Sequence, residues 1–225
     1  MTGLVAAALA FLAIHLGVSG TRLRDAIVAR TGEGPYAGLF ALASLAAIVW
    51  MCIAYNRVGA EDRVIFDAGR GFRDIGVAIV FIAFALAVPG VTRANPTSAS
   101  QAGAKIDGML RITRHPFLWG VAIWSAYHLI ASGTLAAVIL FGTFLLVAMI
   151  GTRAIDGKVK RKRPAEWQMI AAETSNIPFA AIAAGRAKFV AREIFDWRFG
   201  LAVALFAGFF YFHTWMFGVP AFPIG

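Results

Sequence analysis

The sequence predicts an all-α, polytopic membrane protein, a bundle of about six transmembrane helices that forms one domain over 1–225. Two observations predict this fold class. Of the 225 residues, 60% are hydrophobic and only 15% are charged, whereas soluble domains carry about a quarter charged residues. The charges are also bunched, so that uncharged windows long enough for a spanning helix of about 20 residues recur along the chain.

Six apolar segments are predicted to cross the membrane, at 2–20, 36–55, 75–91, 116–131, 135–151 and 199–217. The fourth and fifth form a hairpin, because the uncharged stretch 116–152 is interrupted only by the turn signal Ser132-Gly133-Thr134. Pro116 suits the first turn of a helix, where its missing N–H leaves no hydrogen bond unmade. The apolar stretch 177–184 is too short to span, and we expect it to lie at the interface or to re-enter partway.

The distribution of Lys and Arg predicts the orientation. With the N-terminus outside, the loops on the inner side are 21–35, 92–115 and 152–198, and they hold 17 basic residues against four on the outer side. By the positive-inside rule, both termini face away from the cytoplasm. The basic cluster 158–163 in the last loop is interpreted as resting on anionic lipid headgroups, with a clamp for an acidic group as the alternative. This accounts for much of the net charge of +9, so a nucleic-acid partner is not expected.

Histidines are the first candidates for chemistry. His15, His128 and His213 lie inside predicted spans, where an ionisable side chain is costly and therefore indicates function. Neutral imidazole is a common metal ligand and the commonest protein ligand of haem iron. A haem held between helices needs one histidine from each of two facing helices. The alternative is that each histidine only packs and bonds to a backbone carbonyl.

Depth in the membrane favours one pair of histidines. His128 is 14 residues from Arg114 and His213 is 15 residues from Arg198, which puts both about 21 Å above the inner surface. His15 is seven residues from Arg22, or only about 10 Å above it. Depth therefore favours His128 with His213, although helix tilt would change the level of His15.

A second constellation is the run from Arg111 to Gly120 at the inner end of the fourth span, which includes Arg114, His115 and Pro116. Arginines beside a helix N-terminus form a good anion site, since the helix dipole and the guanidinium groups both favour negative charge. A haem propionate, a phosphate or a carboxylate would suit it. The alternative is a basic anchor beneath a membrane helix.

Three stretches of the sequence resemble one family of membrane proteins. They are Ala13-Ile-His15 followed by Arg22-Leu-Arg24, then Gly108-Met-Leu-Arg-Ile-Thr-Arg-His-Pro116 with Trp124-Ser-Ala-Tyr-His128, and finally Thr174-Ser-Asn-Ile-Pro-Phe-Ala-Ala-Ile182 with Gly185-Arg186. Together they resemble the NnrU family and its plant relative, 15-cis-zeta-carotene isomerase, over nearly the whole chain. The resemblance implies a bacterial inner-membrane protein. The bacterial members are associated with nitrite and nitric oxide metabolism, and the plant isomerase uses b-type haem to isomerise a carotenoid double bond.

The resemblance also implies a ligand set. The two haem histidines of the isomerase correspond to His15 and His128, which leaves His213 as a reserve ligand, and Arg111 and Arg114 become candidate propionate partners. Ser125 stands where the isomerase has a cysteine, and Asn56 where it has a further histidine. The resemblance therefore supports haem binding more than isomerisation.

The run Arg-His-Pro-x-x-x-Gly is similar to a second class as well. It resembles membrane methyltransferases of the isoprenylcysteine carboxyl methyltransferase type, which bind S-adenosylmethionine. Those enzymes carry a Tyr where this chain has Leu118, and a pair of Glu residues near the position of Asp156. The motif region is cationic, which suits a propionate better than a ligand that carries an ammonium and a sulfonium.

The expected function is that of a haem protein whose iron has two histidine ligands. Such an iron has no open coordination site, which favours electron transfer or redox sensing, whereas isomerisation of a carotenoid-like molecule would require one ligand to leave. The expected partners are membrane lipid, a redox partner and a hydrophobic small-molecule substrate. A scaffold without any cofactor is the third possibility.

Overall fold

A computed structural model of the protein describes residues 1–98 and 101–222. Within them, every regular element is helical apart from an isolated antiparallel bridge between Val64 and Thr134. The all-α prediction is confirmed. The helices are, in chain order, α1 (Thr2–Leu12), which continues into a π-helical segment (Ala13–Ser19), α2 (Arg22–Thr31), α3 (Glu33–Asn56), α4 (Gly69–Asp74), α5 (Gly76–Thr92), α6 (Met109–Ile112), α7 (Pro116–Ser132), α8 (Leu135–Lys162), α9 (Pro164–Glu173), α10 (Ala180–Ala183), α11 (Ala191–Ile194) and α12 (Trp197–Phe217).

The long helices coincide with the predicted spans. Among the described residues, five helical segments are long and apolar enough to cross a membrane, namely Thr2–Ser19, Glu33–Asn56, Gly69–Thr92, Leu135–Lys162 and Trp197–Phe217. The fourth predicted span, 116–131, corresponds to α7, a continuous helix of 17 residues that is about 26 Å long. The chain is therefore a membrane protein with about six apolar helices, as predicted.

The chain divides into two compact units. Unit 1 comprises 1–69 and 125–154, and unit 2 comprises 70–124 and 155–225. Helices α7 and α8 contribute residues to both units, since the divisions fall within them.

The core of unit 1 begins with a stripe on α1. Leu4, Ala7, Ala8 and Phe11 are buried at the spacing of one helix face, and α1 packs along α3. His15 follows Phe11 by four residues and so lies on the same face. Most of α3 is exposed in the structure, as is expected of an apolar helix that contacts lipid.

The predicted hairpin between α7 and α8 is present, and it turns at 132–134. Gly133 adopts a left-handed conformation with φ of 63°, and a Cβ atom there would collide with the carbonyl oxygen of Phe66. The loop before α4 holds the turn, because the Leu135 N–H donates to the Arg63 carbonyl at 2.8 Å and the Ala136 N–H donates to Asp62 Oδ1 at 2.9 Å. Pro116 is the first residue of α7, as predicted.

Unit 2 is built around α5. Its Phe81 and Phe84 rings contact Phe199, Phe206 and Phe209 of α12, with centroid distances from 5.3 to 6.1 Å. On α7, the close approach of Gly120 to α5 leaves no room for a side chain, since a Cβ atom would lie 2.6 Å from the carbonyl oxygen of Ala83. The apolar stretch 177–184 forms only the short helix α10 and does not span, as predicted.

Candidate functional site

His15 lies in the π-helical segment that extends α1. Its Nδ1 is 3.0 Å from the carbonyl oxygen of Phe11. Because a carbonyl only accepts, Nδ1 carries the proton, and Nε2 of the neutral ring holds the lone pair that a metal ligand needs. The imidazole packs on the rings of Phe11 and Phe40, at centroid distances of 4.0 and 5.0 Å.

His128 lies on the part of α7 that belongs to unit 1. Its ring is 5.1 Å from that of Phe141 on α8. One turn further along α8, the ring of Phe144 is 5.3 Å from Phe11, the same ring that packs on His15. Within unit 1, His128 therefore contacts α8 directly, whereas His15 is linked to the next turn of α8 through the ring of Phe11.

The other two histidines belong to unit 2. His213 lies near the end of α12, and its Nδ1 donates to the carbonyl oxygen of Val219 at 2.8 Å. His115 is buried, and its Nε2 donates to Asp156 Oδ1 at 2.7 Å. The structure thus gives His115 a role in a polar network of the chain itself.

Two buried hydroxyl groups in unit 1 lie close to the ligand histidines. Within 1–98 and 101–222, Ser125 Oγ and the Tyr36 hydroxyl are buried and make no hydrogen bond. Ser125 precedes His128 by one turn of α7, so the two side chains share a face. Tyr36 stacks on Phe40 at 6.0 Å, and Phe40 in turn contacts His15. A buried hydroxyl without a partner carries a desolvation cost of about 1–3 kcal/mol and calls for an explanation.

Asp156 organises the predicted arginine motif in unit 2. Arg114 donates to it twice, from Nε at 2.8 Å and from Nη2 at 2.5 Å, and His115 adds the bond described above. The Arg114 guanidinium also lies 5.0 Å from the centre of the Trp167 ring. Both carboxylate oxygens of Asp156 are therefore occupied by cations or donors of the motif.

The same motif docks on the segment 174–178. Thr113 donates its hydroxyl to the Asn176 carbonyl at 2.6 Å, and the Trp119 indole donates to that carbonyl at 2.7 Å. The Arg114 N–H donates to the Ser175 carbonyl at 3.0 Å. Two of the stretches that carry the family resemblance thus fold against each other within unit 2.

Arg111 is also paired. It donates to both carboxylate oxygens of Glu193, at 2.7 and 3.3 Å. The hydrogen bond from Arg111 lowers the pKa of Glu193 to about 2, against a smaller opposing effect of burial, and the Gly108 N–H adds to the lowering. Arg93 joins this region further, since it pairs with Asp107 and Asp196.

Sequence reasoning missed some of these residues for identifiable reasons. Only Asp107 and Asp156 are near the motif in the sequence, whereas Glu193 is 82 residues from the arginine that it binds. No local pattern marks that pairing. Tyr36 was not selected because an aromatic residue at the start of an apolar helix is ordinary in a membrane protein.

The described side chains do not form a metal site made of protein ligands alone. Among the described residues there is no group of three or more His, Cys, Asp or Glu side chains that could hold a metal ion. Two imidazoles in an aromatic surrounding suit a cofactor that brings its own equatorial ligands, as haem does.

Comparison with known families gives one match. The family described as NnrU protein matches residues 3–221, nearly the whole chain. Comparisons with curated proteins and with solved structures gave no significant match.

Proposed function

The chain belongs to the NnrU family, and we propose that it binds one b-type haem through His15 and His128 in unit 1. The observation that carries the proposal is the placement of both imidazoles in one compact unit, where His128 contacts Phe141 of α8 and His15 contacts Phe11, which in turn contacts Phe144 of α8. An apolar, aromatic surrounding suits a porphyrin, and it leaves the imidazoles as the chemically distinct groups.

The residues present fit the cofactor. The bond from His15 Nδ1 to the Phe11 carbonyl fixes the tautomer, and in metal sites such a bond orients the ring and raises its basicity. Ser125 and Tyr36 supply two hydroxyls that a ligand with polar substituents would satisfy. Haem supplies one-electron redox chemistry when bound. The chain's own part is to orient two imidazoles and to exclude water from them.

We propose a redox-linked role in nitrite or nitric oxide metabolism, with electron transfer or sensing favoured because two histidine ligands leave no open coordination site. Haem-dependent cis–trans isomerisation of a carotenoid-like substrate is the enzymatic variant of the same proposal, and it requires that one histidine leave the iron. Arg111 and Arg114 stay candidate propionate partners. Each already binds a carboxylate of the chain, so a propionate would have to share or replace Glu193 or Asp156.

The test is an absorption spectrum of the detergent-purified protein, oxidised and reduced. We expect a Soret band with the sharp reduced bands of a low-spin haem. His128→Ala should abolish it, and His15→Ala should abolish or greatly weaken it. The matched control is His213→Ala, which removes an imidazole whose Nδ1 donates to the Val219 carbonyl just beyond its own helix. Loss of haem in the control instead would assign His213 as the ligand.

Proposed localisation is the bacterial inner membrane, with both termini in the periplasm, because basic residues are concentrated in the loops 92–115 and 152–198. Lys160 is exposed near the end of α8. In a Cys52→Ser background, a Lys160→Cys variant should resist membrane-impermeant maleimide in intact cells and react after permeabilisation. Labelling in intact cells would reverse the orientation.

A methyltransferase that uses S-adenosylmethionine is the second candidate, because the motif from Arg114 to Gly120 is folded around an acidic residue, Asp156. In this structure Asp156 accepts from Arg114 and His115, so it is engaged rather than available for the ligand's amino group. Calorimetry with millimolar S-adenosylmethionine should therefore show no binding. Tight binding by a protein with a haem-free spectrum would promote this candidate.

A further inference from the structure

The Tyr36 hydroxyl has no hydrogen-bond partner among the described residues, although the side chain is buried and only 7% of the residue is exposed. Tyr36 lies in the first turn of α3, where a phenol usually reaches water or a headgroup. A buried phenol that donates to nothing destabilises the fold that contains it. The hydroxyl is therefore best explained by an acceptor that the protein chain does not supply.

The surroundings of Tyr36 identify where that acceptor belongs. The ring stacks on Phe40 with an interplanar angle of 19°, and Phe40 is the ring that contacts His15. Tyr36 is thus separated from a predicted haem ligand by one aromatic side chain, within the same unit. An acceptor at this hydroxyl would therefore lie in the same part of unit 1 as the His15 imidazole.

A cation next to Tyr36 indicates the charge of the acceptor. The Arg24 guanidinium lies 5.1 Å from the centre of the Tyr36 ring, and its side chain is only 9% exposed. Its carboxylate partners Glu33 and Asp25 are 49% and 38% exposed, and the Asp25 contact is 3.7 Å long. Arg24 also donates to Glu33, so an anionic acceptor at Tyr36 would share this buried guanidinium with a carboxylate that is half exposed to water.

We propose that Tyr36 is a haem-binding residue, whose hydroxyl donates a hydrogen bond to a propionate carboxylate, and that Arg24 stabilises the same carboxylate electrostatically. This inference rests on the proposed function. It places a propionate contact on residues of unit 1, the unit that contains both histidines.

The test uses Tyr36→Phe, which removes one oxygen atom and keeps the ring. In the haem-loaded protein, haem transfer to excess apomyoglobin should be about tenfold to a hundredfold faster, as expected for a lost hydrogen bond to a charged group. In the haem-free protein the same substitution should leave the melting temperature unchanged or raise it, because an unsatisfied buried hydroxyl is removed. The haem-free comparison is His128→Ala against His128→Ala with Tyr36→Phe.

The substitution should therefore weaken the haem-loaded protein but not the haem-free one, and this contrast distinguishes a role in haem binding from a role in packing. If Tyr36 only packs, the substitution shifts the melting temperatures of the haem-loaded and haem-free proteins in the same direction. The rate of haem loss then stays the same. Arg24→Gln should also speed haem loss and shift the reduction potential downward, because the loss of a positive charge near the haem favours the oxidised form over the reduced one. Tyr211→Phe, which alters an exposed tyrosine of α12, is the matched control and should change neither quantity.

The outcomes are distinguishable from a failure of the proposed function. Unchanged haem loss in Tyr36→Phe, with a normal spectrum in the parent protein, would overturn the role of Tyr36 and leave His15 and His128 as ligands. Equal destabilisation of the haem-loaded and haem-free forms would also overturn it. A parent protein that takes up no haem would overturn both proposals.

Discussion

The two units of the chain differ in how their polar side chains are hydrogen-bonded. In unit 2, arginine and carboxylate side chains form bidentate pairs that join segments distant in sequence, such as Arg114 with Asp156 and Arg111 with Glu193. In unit 1, the polar groups beside the aromatic core are two histidines and two hydroxyls, and both hydroxyls are buried without a partner in the described residues. In unit 2, Arg93 Nε is also buried without a partner in the described residues, but the same guanidinium pairs with Asp107 and Asp196.

This difference separates a structural network from a place prepared for a ligand. A fully hydrogen-bonded network of charges stabilises one arrangement of the chain. Removal of one member leaves its partner as an unpaired charge in a low-dielectric environment. Unsatisfied hydroxyls contribute nothing to stability until a ligand provides the acceptor. The contacts of the family motif at 111–120 are those of a structural network in unit 2, and the haem ligands that we propose, His15 and His128, belong to unit 1.

The largest effect should come from breaking the unit 2 network at Asp156. Asp156→Asn removes the charge and keeps the shape, so Arg114 and His115 lose a carboxylate acceptor while they stay buried. The expected loss is about 3 kcal/mol in the free energy of unfolding, which is the range for one partner of a buried pair. Chemical unfolding in detergent, followed by tryptophan fluorescence, measures it.

The matched substitution in unit 1 is Glu61→Gln. The Glu61 carboxylate pairs with the N-terminal amine but is 75% exposed. The free energy of unfolding should therefore change by no more than about 0.5 kcal/mol. Equal losses in the free energy of unfolding for Asp156→Asn and Glu61→Gln would show that the unit 2 network is no more important for stability than an exposed ion pair of unit 1.

A second effect concerns helix packing in unit 2. Gly120→Leu should destabilise by about 1–3 kcal/mol, because its side chain would displace α7 from the carbonyl of Ala83. Gly208→Leu on α12 is the control, since a Cβ atom there meets nothing within 4 Å. Thermal melting with circular dichroism compares them. A large loss in the control would indicate that another surface packs on α12.

Much of the fold could be predicted from the sequence, because the bilayer imposes length and polarity on each spanning helix. The hairpin turn at 132–134 and the helix start at Pro116 follow from local turn and proline chemistry. The pairing of Arg111 with Glu193 could not be predicted, since it depends on how residues 191–198 return to α6. Tyr36 could not be selected either, because the missing partner of a hydroxyl is visible only in three dimensions.

The third effect is a pH dependence that belongs to unit 2. The bond from Arg111 lowers the pKa of Glu193 from its usual 4.5 to about 2. A carboxyl with a lowered pKa stabilises the fold fully above pH 4.5, and that contribution is lost as the pH falls towards 2. Melting temperatures should therefore decline over this window in the parent protein.

Glu193→Gln provides the comparison for this effect. It should melt at a lower temperature at pH 6 and show a smaller decline between pH 4.5 and pH 2. Parallel pH profiles for the two proteins would mean that other carboxyls produce the decline.

The smallest effect is expected at the start of α2 in unit 1. Thr21 is the N-cap of this helix, and its Oγ1 accepts from the Leu23 N–H at 3.2 Å. Thr21→Ala should cost about 1 kcal/mol or less, as for other exposed caps, whereas Thr21→Ser should restore the bond. Hydrogen exchange over 22–31 is the appropriate measurement, because fraying of one exposed turn changes local protection more than the global melting temperature. Arg24 lies in this first turn and contacts Tyr36, so the same fraying should also speed haem loss slightly in Thr21→Ala. Altered exchange without any change in haem loss would show that Arg24 keeps its place independently of the cap.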